Sequence, residues 1–430
     1  MTQTVLPFKL HTTTDTLTAH AGLVLLGEYC EALGLREKLN SQLPGAKSGI
    51  GYAPADYIYT LILMLHGGGR SLADLRILRE DKGLQALLNI GVFPSESAFG
   101  DWLVRHGNGE GLAGLANVQR ELLALALSAD NRKEYTLDID ATQIVAHKYT
   151  AEYTYKGEKG YMPMTGHIAE NGWLVGDEFR AGNIAPAADN LGFIRYCEQQ
   201  LPAGKHFSAL RADSAAYQAE IFNHCEDNKQ VYAIGAKQDA SVQKAIAAIP
   251  ENAWSVYRDR EIAETVHCME NTKKAFRLIV TRKPKQQDLF EESAEKYFYH
   301  TIASNRTETA AWVKDWYCQR GECSENRIKE LKCGLGMERM PSGDEKANAL
   351  FFRIGALAYN LLVLFKAEIL PKSHQRFQVK TLRWRFYQVA GKITRHANAI
   401  YLKVNESAFE FFEQIRASIW RAQRPHASPG

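Results

Sequence analysis

Two aspartates end short apolar runs and carry side chains that can bind a divalent cation. Asp140 ends the run that starts at Tyr135, and Asp213 ends the run that starts at Leu210. Alternating polarity and β-branched residues predict that both runs are strands. Open α/β folds place their chemistry outside strand ends, so the two carboxylates are candidates to share a cation through hard oxygen ligands. The alternative is a structural role, since an Asp at the end of a strand is common.

A third carboxylate lies on a predicted helix that carries cations on the same side. In the stretch 317–332, a rotation of about 100° per residue returns Lys329 and Lys332 close to the azimuth of Glu325. The packing side of this helix consists of Ile328, Leu331 and Leu335. A metal-binding Glu beside lysines suits an enzyme that holds anionic DNA. The alternative is an exposed salt bridge between residues four positions apart.

Asp138 is the second choice for the position given to Asp140. Alternation along the strand points both side chains to the same face. Asp138 lies further from the end of the strand, and we therefore rank Asp140 first as the ligand.

The spacing of the apolar residues predicts the secondary-structure elements that position these carboxylates. This spacing changes after Arg132. Residues 1–130 have helical spacing and tight turns, which predicts a helical region for DNA binding or dimerisation. Residues 131–237 read as strands and a hairpin, followed by alternating helices and strands. This order predicts an α/β fold whose core is built on a mixed sheet.

Residues 238–305 break this alternation and predict a β-rich insertion. Its antiparallel strands are expected at 261–269, 275–282 and 296–303. Lys283 and Lys285 suit a turn that faces DNA, with a solvated loop as the alternative. Helix returns over residues 306–370, which include Glu325.

The last part of the chain, residues 371–430, is basic. Aromatic residues are interleaved with the positive ones, as suits a surface that binds a phosphate backbone. We select Arg383, Arg385 and Lys392 as candidate DNA contacts. On this segment alone, a solvated helix face with an aromatic packing side is as good an interpretation as a DNA-binding surface.

The composition sets the broad class of the protein. A length of 430 residues predicts more than one structural unit, and 45% hydrophobic with 23% charged residues is typical of a globular protein. We see no apolar run of the roughly 18 residues that a membrane span needs, and no secretion signal at the start. We therefore expect a cytoplasmic, nucleoid-associated protein without a membrane partner.

Taken together, the motifs resemble those of bacterial insertion-sequence transposases of the DDE type. The resemblance rests on Leu137–Thr142, Leu210–Ser214, Tyr317, Arg320, Glu325 and Lys332, and it extends over residues 50–405. It also includes the runs that begin at Arg327, Leu382 and Val389. The nearest branch is insertion-sequence family thirteen-eighty, and piggyBac elements are more distant relatives.

The resemblance implies a ribonuclease-H-like core that a β-rich insertion interrupts between the second Asp and the Glu. It implies a catalytic triad of Asp140, Asp213 and Glu325 that binds two Mg²⁺ ions, with Mn²⁺ as a substitute. Tyr317, Arg320 and Lys332 fall on a helix signature that contacts DNA near the cut. In relatives an aromatic residue holds a flipped base, and Trp254 is the candidate for this role, with core packing as the alternative.

One departure from the family pattern affects the third ligand. Related families have three residues between the Arg and the Glu, whereas four separate Arg320 from Glu325. Glu322 is therefore the alternative ligand, although Glu325 keeps the expected distance to Lys332. The expected partners are double-stranded DNA, as transposon ends and target, and a second copy of the chain. The alternative functions are a nuclease of the same fold without strand transfer and a non-catalytic DNA-binding protein.

Overall fold

The computed structural model describes residues 6, 8–45, 51–285 and 296–423, with the side chains of 322–324 left out. The chain forms two compact units. The first unit comprises Met1–Asn40, Gly45–Phe99 and Phe365–Gly430, and the second comprises Ser41–Pro44 and Gly100–Leu364. Each unit is described separately below.

The α-helices among the described residues are α1 (Ala21–Ala32), α2 (Leu35–Gln42), α3 (Pro54–Gly67), α4 (Leu75–Glu80), α5 (Lys82–Leu87), α6 (Glu96–His106), α7 (Gly109–Ser128), α8 (Asn190–Gln200), α9 (Ala219–Asp227), α10 (Ala240–Ala247), α11 (Ala310–Lys329), α12 (Glu345–Leu364), α13 (Val379–Leu382) and α14 (Glu406–Ala422). Three of them continue into π-helical turns, which cover Glu330–Gly334, Phe365–Ile369 and Arg383–Tyr387.

The strands in the same described ranges are β1 (Thr16–Thr18), β2 (Glu134–Ala141), β3 (Ile144–Val145), β4 (Glu152–Tyr153), β5 (Lys159–Tyr161), β6 (Met164–Ile168), β7 (Leu174–Glu178), β8 (His206–Ala212), β9 (Val231–Gly235), β10 (Ser255–Tyr257), β11 (Arg260–His267), β12 (Phe276–Pro284), β13 (Tyr297–Ser304), β14 (Gly391–His396) and β15 (Ala399–Lys403).

One large mixed sheet organises the second unit. Its strand order is β10-β11-β12-β13-β9-β8-β2-β6-β7. The pairs β2–β8 and β8–β9 are parallel, and the remaining neighbours are antiparallel. The prediction of an α/β fold with a mixed sheet is confirmed. The strands expected in a β-rich insertion, β11 to β13, pair through β13 with β9 and so continue this sheet.

The two strands that carry the aspartates are fixed in register by a buried ion pair. Asp138 on β2 lies opposite Arg211 on β8. The Arg211 Nε and Nη2 donate to the two Asp138 carboxylate oxygens at 2.7 and 2.8 Å. Their side chains are 0% and 3% exposed. Two residues further on, the same parallel register brings Asp140 and Asp213 to neighbouring strand ends.

Helix α11 packs across the sheet and is tied to the same ion pair. Its Val313 and Tyr317 join a buried cluster with four strand residues, Ala233, Ile262, Ile279 and Ile302. Arg211 Nη1 also donates to the Trp316 carbonyl at 2.7 Å. Further along, Arg327 donates to the carbonyls of Ile168 and Ala169 at the end of β6. The helix is therefore held at several points along its length.

Helix α12 together with the π-helical turn that follows it corrects one sequence expectation. Glu345–Ile369 is long and apolar enough, by length and composition, to cross a membrane, whereas the sequence analysis expected no such stretch. Most of its apolar window is buried inside the protein, as in the core helix of a globular fold.

The first unit contains a small antiparallel sheet, β1-β14-β15, with α1, α3 and α14. Pro54 begins α3, and Gly68 ends it in the left-handed conformation (φ 108°) that glycine adopts without strain. Arg383 closes the same helix end, because its guanidinium donates to the Leu65 and His66 carbonyls at 3.0 and 2.9 Å.

We expect that breaking the buried ion pair from either side destabilises the second unit. Asp138→Asn or Arg211→Met leaves a buried charge unpaired and lowers the free energy of unfolding by about 3–5 kcal/mol. The double variant costs less than the sum of the single ones, because the two residues interact directly. Urea unfolding measures these differences.

The matched control is Lys273→Met, which removes a half-exposed ion pair with Asp227 in the same unit. Its expected cost is below about 1 kcal/mol. Single variants of Asp138 and Arg211 that unfold at the same urea concentration as this control contradict the assigned role of the pair.

Candidate active site

The two aspartates occupy the predicted place at neighbouring strand ends. Asp140 is the penultimate residue of β2, and its side chain is 20% exposed. Asp213 directly follows β8, and one of its carboxylate oxygens accepts a hydrogen bond from the Ala215 amide at 3.0 Å. That amide belongs to a 3₁₀ turn, so the backbone fixes the direction of the Asp213 side chain.

Arg320 is the direct partner of Asp140. Its Nη1 lies 3.2 Å from the Asp140 Oδ2, and the Arg320 side chain is 11% exposed. The pKa of Asp140 is raised to about 6, mainly by burial; Arg320 opposes the shift, and the nearby charges of Asp213 and Glu325 contribute to it. The two other carboxylates therefore act on Asp140 at this end of the sheet, although the sequence separates all three widely.

Tyr317 connects Arg320 to the end of β9. It is buried, and its ring centroid lies 5.7 Å from the Arg320 guanidinium, which therefore lies against the ring. A Cβ on Gly235 would lie 3.0 Å from the Tyr317 hydroxyl and 3.1 Å from the Ser214 amide nitrogen. The absence of a side chain at Gly235 therefore allows Tyr317 to approach the turn that carries Asp213.

Glu325 and the lysines of α11 are arranged differently from the stacked face expected from the sequence. Glu325 and Lys329 are exposed, and among the described residues no ion pair joins Glu325 to Lys329 or Lys332. Lys332 lies in the π-helical turn, where it donates to the Gln143 carbonyl at 2.5 Å and the Thr142 hydroxyl at 3.2 Å. The wider π-helical turn directs Lys332 toward the chain that leaves β2, and burial lowers its pKa.

The structure separates the roles of the alternative carboxylates. Both oxygens of Asp138 accept hydrogen bonds from Arg211, and Arg327 lies 3.8 Å away. The carboxylate of Asp138 is therefore fully occupied by buried partners, while Asp140 faces the partly open end of the sheet. The side chain of Glu322 lies outside the described residues.

The donor set fits a hard divalent cation. Among the described residues, no three His, Cys, Asp or Glu side chains already lie close enough together to hold a metal ion. Asp140, Asp213 and Glu325 nevertheless offer only oxygen donors, which Mg²⁺ prefers. The raised pKa of Asp140 comes first from burial and then from the neighbouring carboxylates; a cation would stabilise the ionised form, and Arg320 supplies the positive charge in this structure.

The other DNA contacts expected in the second unit lie on the strands that extend the sheet. Trp254 is half-buried, with its ring 4.2 Å from the Arg282 guanidinium, which Tyr297 also contacts at 4.4 Å. Lys283 is exposed and pairs with Asp259 at 2.8 Å. Lys285 follows β12 and lies 5.0 Å from the Phe298 ring.

The three candidate contacts near the C-terminal end belong to the first unit. The guanidinium of Arg383 donates hydrogen bonds to two carbonyls at the end of α3. Arg385 is exposed and lies 5.0 Å from the Phe377 ring. Lys392 pairs with Asp15 at 2.9 Å.

The sequence analysis missed the residues that hold the site together. Arg211 and Arg327 both contact Asp138; Arg211 also donates to the Trp316 carbonyl within α11, and Arg327 to the carbonyls of Ile168 and Ala169 at the end of β6. A signal for Arg211 was present, because Asp138 and Arg211 precede Asp140 and Asp213 by the same two positions. Arg327 has no such signal, since its hydrogen-bond partners are backbone carbonyls far away in the sequence.

Comparison with known proteins gives the family. The model of the family described as transposase DDE domain group 1 matches residues 5–423. The chain belongs to this family. The prediction of a DDE transposase is thereby confirmed, and membership implies a DNA-cleaving enzyme with DNA as its partner.

Two further comparisons were made for this DDE transposase. No curated protein matches the chain. Among solved structures, the chain is similar to the cryo-EM structure of a piggyBac transposase synaptic complex with hairpin DNA, with 11% identity and a TM-score of 0.47. The match covers 97% of this chain and 86% of that chain. At this level of similarity the assignment depends on the family match.

We expect that Arg320 and a bound cation compete for Asp140. Arg320→Gln removes the positive charge from Asp140, so Mn²⁺ raises the thermal unfolding midpoint more in this variant than in the unmodified protein. Differential scanning fluorimetry without DNA, in EDTA and with added Mn²⁺, measures the difference.

Lys329→Gln is the matched control, because it removes an exposed charge one turn from Glu325 on the same helix. If Mn²⁺ raises the unfolding midpoint of both variants equally, the effect depends only on the net charge of the protein. Arg320 then does not compete with the cation for Asp140.

Proposed function

We propose that the protein binds the terminal inverted repeats of an insertion sequence, cleaves the DNA ends and joins the freed 3′-OH groups to target DNA. The observation that carries the proposal is the placement of Asp140 and Asp213 at the ends of the parallel neighbours β2 and β8, beside the helix α11 that carries Glu325 and binds Asp140 through Arg320. A DDE transposase family match over residues 5–423 supports the same reading.

The catalytic core that we propose is ribonuclease-H-like and consists of β7-β6-β2-β8-β9 with α8, α9 and α11. Support comes from the order of these strands, in which an antiparallel meander is followed by two parallel strands. The two aspartates end the two parallel neighbours β2 and β8. Residues 238–305 would then be the insertion, with β10 to β13 as its strands.

Two Mg²⁺ ions, with Mn²⁺ as a substitute, would activate the attacking oxygen and stabilise the leaving oxygen when bound. Asp140, Asp213 and Glu325 are the residues that would hold them. Arg320, released from Asp140, would place its guanidinium at the phosphate next to the cut. Tyr317 would keep Arg320 directed toward the site through the contact of its ring with the guanidinium.

DNA would lie along the exposed side of α11, where Lys329 and the neighbouring Lys332 contribute positive charge. Lys283 and Lys285 would extend this contact over the neighbouring strands, and Trp254 is the proposed support for a flipped base. Arg385 and Lys392 would contact DNA from the first unit. Two copies of the chain would bring two transposon ends together.

We expect that Asp140→Asn abolishes cleavage and leaves DNA binding intact. Loss of a ligand reduces the cleavage rate by roughly 10³-fold or more, since such residues act as a unit. A gel assay of nicking on DNA that carries the element's ends, with Mg²⁺ or Mn²⁺, measures the rate, and a mobility shift measures binding. Asp227→Asn, an exposed acid elsewhere in the unit, serves as the control.

A second comparison identifies the third ligand. Glu325→Gln should reduce cleavage as strongly as Asp140→Asn, whereas Glu322→Gln should retain it. The opposite result would move the third ligand to Glu322. Supplying pre-cut ends with a free 3′-OH then tests joining: strand-transfer products support a transposase, and their absence beside normal cleavage supports a plain nuclease.

A further inference from the structure

Lys314 is a buried cation for which the described part of the chain provides no ion-pair partner. It lies on α11, and the residue is 5% exposed. No described carboxylate lies within salt-bridge distance of its ammonium group, and burial lowers its pKa. The nearest acid on the helix, Asp315, is taken by Tyr257 and Arg258. A buried charge without a counter-ion is costly, so an external anion would stabilise it.

His300 connects this charge to the surface. The Lys314 Nζ lies 3.0 Å from the His300 Nδ1. An ammonium group only donates, so Nδ1 accepts and the ring proton is on Nε2. Desolvation of the ring by the side chains packed around it and the charge of Lys314 lower the pKa of His300 to about 4, so the ring is neutral at pH 7. Part of the residue is still exposed on β13, and its Nε2–H is a donor polarised by the lysine behind it.

Two further cations surround the same ring. The charges of Arg260 on β11 and Arg320 on α11 both act on His300. In the strand register, Ile262 lies opposite Thr281 and Thr281 opposite His300, so Arg260 and His300 lie on the sheet face that α11 covers. Tyr317 separates the group from the active site, with its ring 5.8 Å from His300 and 5.7 Å from Arg320.

The acids near this group are engaged by other partners. Asp259 pairs with Arg260 and also with Lys283. Asp140 pairs with Arg320. The positive charge of Lys314 is therefore the one in the group that lacks a carboxylate among the described residues.

We propose that His300, Lys314 and Arg260 form a binding site for one backbone phosphate of DNA, next to Arg320. This inference rests on the proposed function. The His300 Nε2–H would donate to a phosphate oxygen, with Lys314 behind the ring and Arg260 at the side. The site would hold the strand beside the cut through its backbone, without reading a base.

The test measures DNA affinity as a function of salt concentration. Fluorescence anisotropy with a labelled duplex of mixed sequence, at mildly alkaline pH where His300 is neutral, compares the unmodified protein with Lys314→Met, His300→Ala and His300→Gln. We expect Lys314→Met and His300→Ala to bind roughly tenfold more weakly, as for a lost hydrogen bond to a charged group. For Lys314→Met the slope of log K against log salt should become less negative by about 0.9, as for one lost charge contact with a phosphate; His300→Ala removes a neutral donor and should mainly lower the affinity.

His300→Gln should keep most of the affinity, since its amide retains an outward N–H donor. Lys244→Met, an exposed lysine on α10, is the charge control and should keep the affinity and slope. Because His300 is exposed, the comparison of Ala with Gln remains informative even if Lys314→Met does not fold.

The outcomes distinguish this site from the function on which it rests. If the unmodified protein binds no DNA, the proposed function fails and the site fails with it. If it binds DNA and the His300 and Lys314 variants match Lys244→Met in affinity and slope, only the phosphate site is wrong. A change in thermal stability alone, with an unchanged slope, assigns the Lys314–His300 contact to packing.

Discussion

The site depends on one buried ion pair, between Asp138 and Arg211. Two hydrogen bonds between buried side chains fix β2 and β8 in a single register. A shift of one residue would turn every side chain to the opposite face and separate Asp140 from Asp213. Arg211 also binds the Trp316 carbonyl, so the same guanidinium fixes the position of α11. Burial of this pair is therefore a constraint on register more than a source of stability.

The charges at the end of the sheet are an unfavourable contribution to the stability of the folded protein. Asp140 is partly buried beside two other carboxylates, which disfavours its ionised form. Arg320 offsets this charge in the structure, and a cation would offset it during the reaction. Active sites commonly store unfavourable charge of this kind. Near Lys314 on α11 the imbalance is reversed, because this lysine is buried without a carboxylate partner among the described residues, and a DNA phosphate is the anion that we propose for it.

Much of the frame was predictable from local patterns. The change of period after Arg132, the strand ends at Asp140 and Asp213 and the helix through Glu325 all appear in the structure at or near their predicted places. The alternating pattern from Thr142 to Tyr149 also predicts a strand, but this prediction is largely wrong, since only Ile144–Val145 forms a strand there. Alternation was present in that stretch, but pairing partners on both sides decide whether a strand extends.

By itself, the sequence determined the period of each element, the positions of the acidic residues and the family of the chain. These depend on neighbours a few positions apart or on residue identity alone. Only the tertiary structure decided which acid is buried, which cation opposes it and which buried lysine has no carboxylate partner among the described residues. Asp138 meets Arg211 across 73 positions, and Asp140 meets Arg320 across 180. Local spacing contains no information about such pairs, because burial and charge act through space between distant segments.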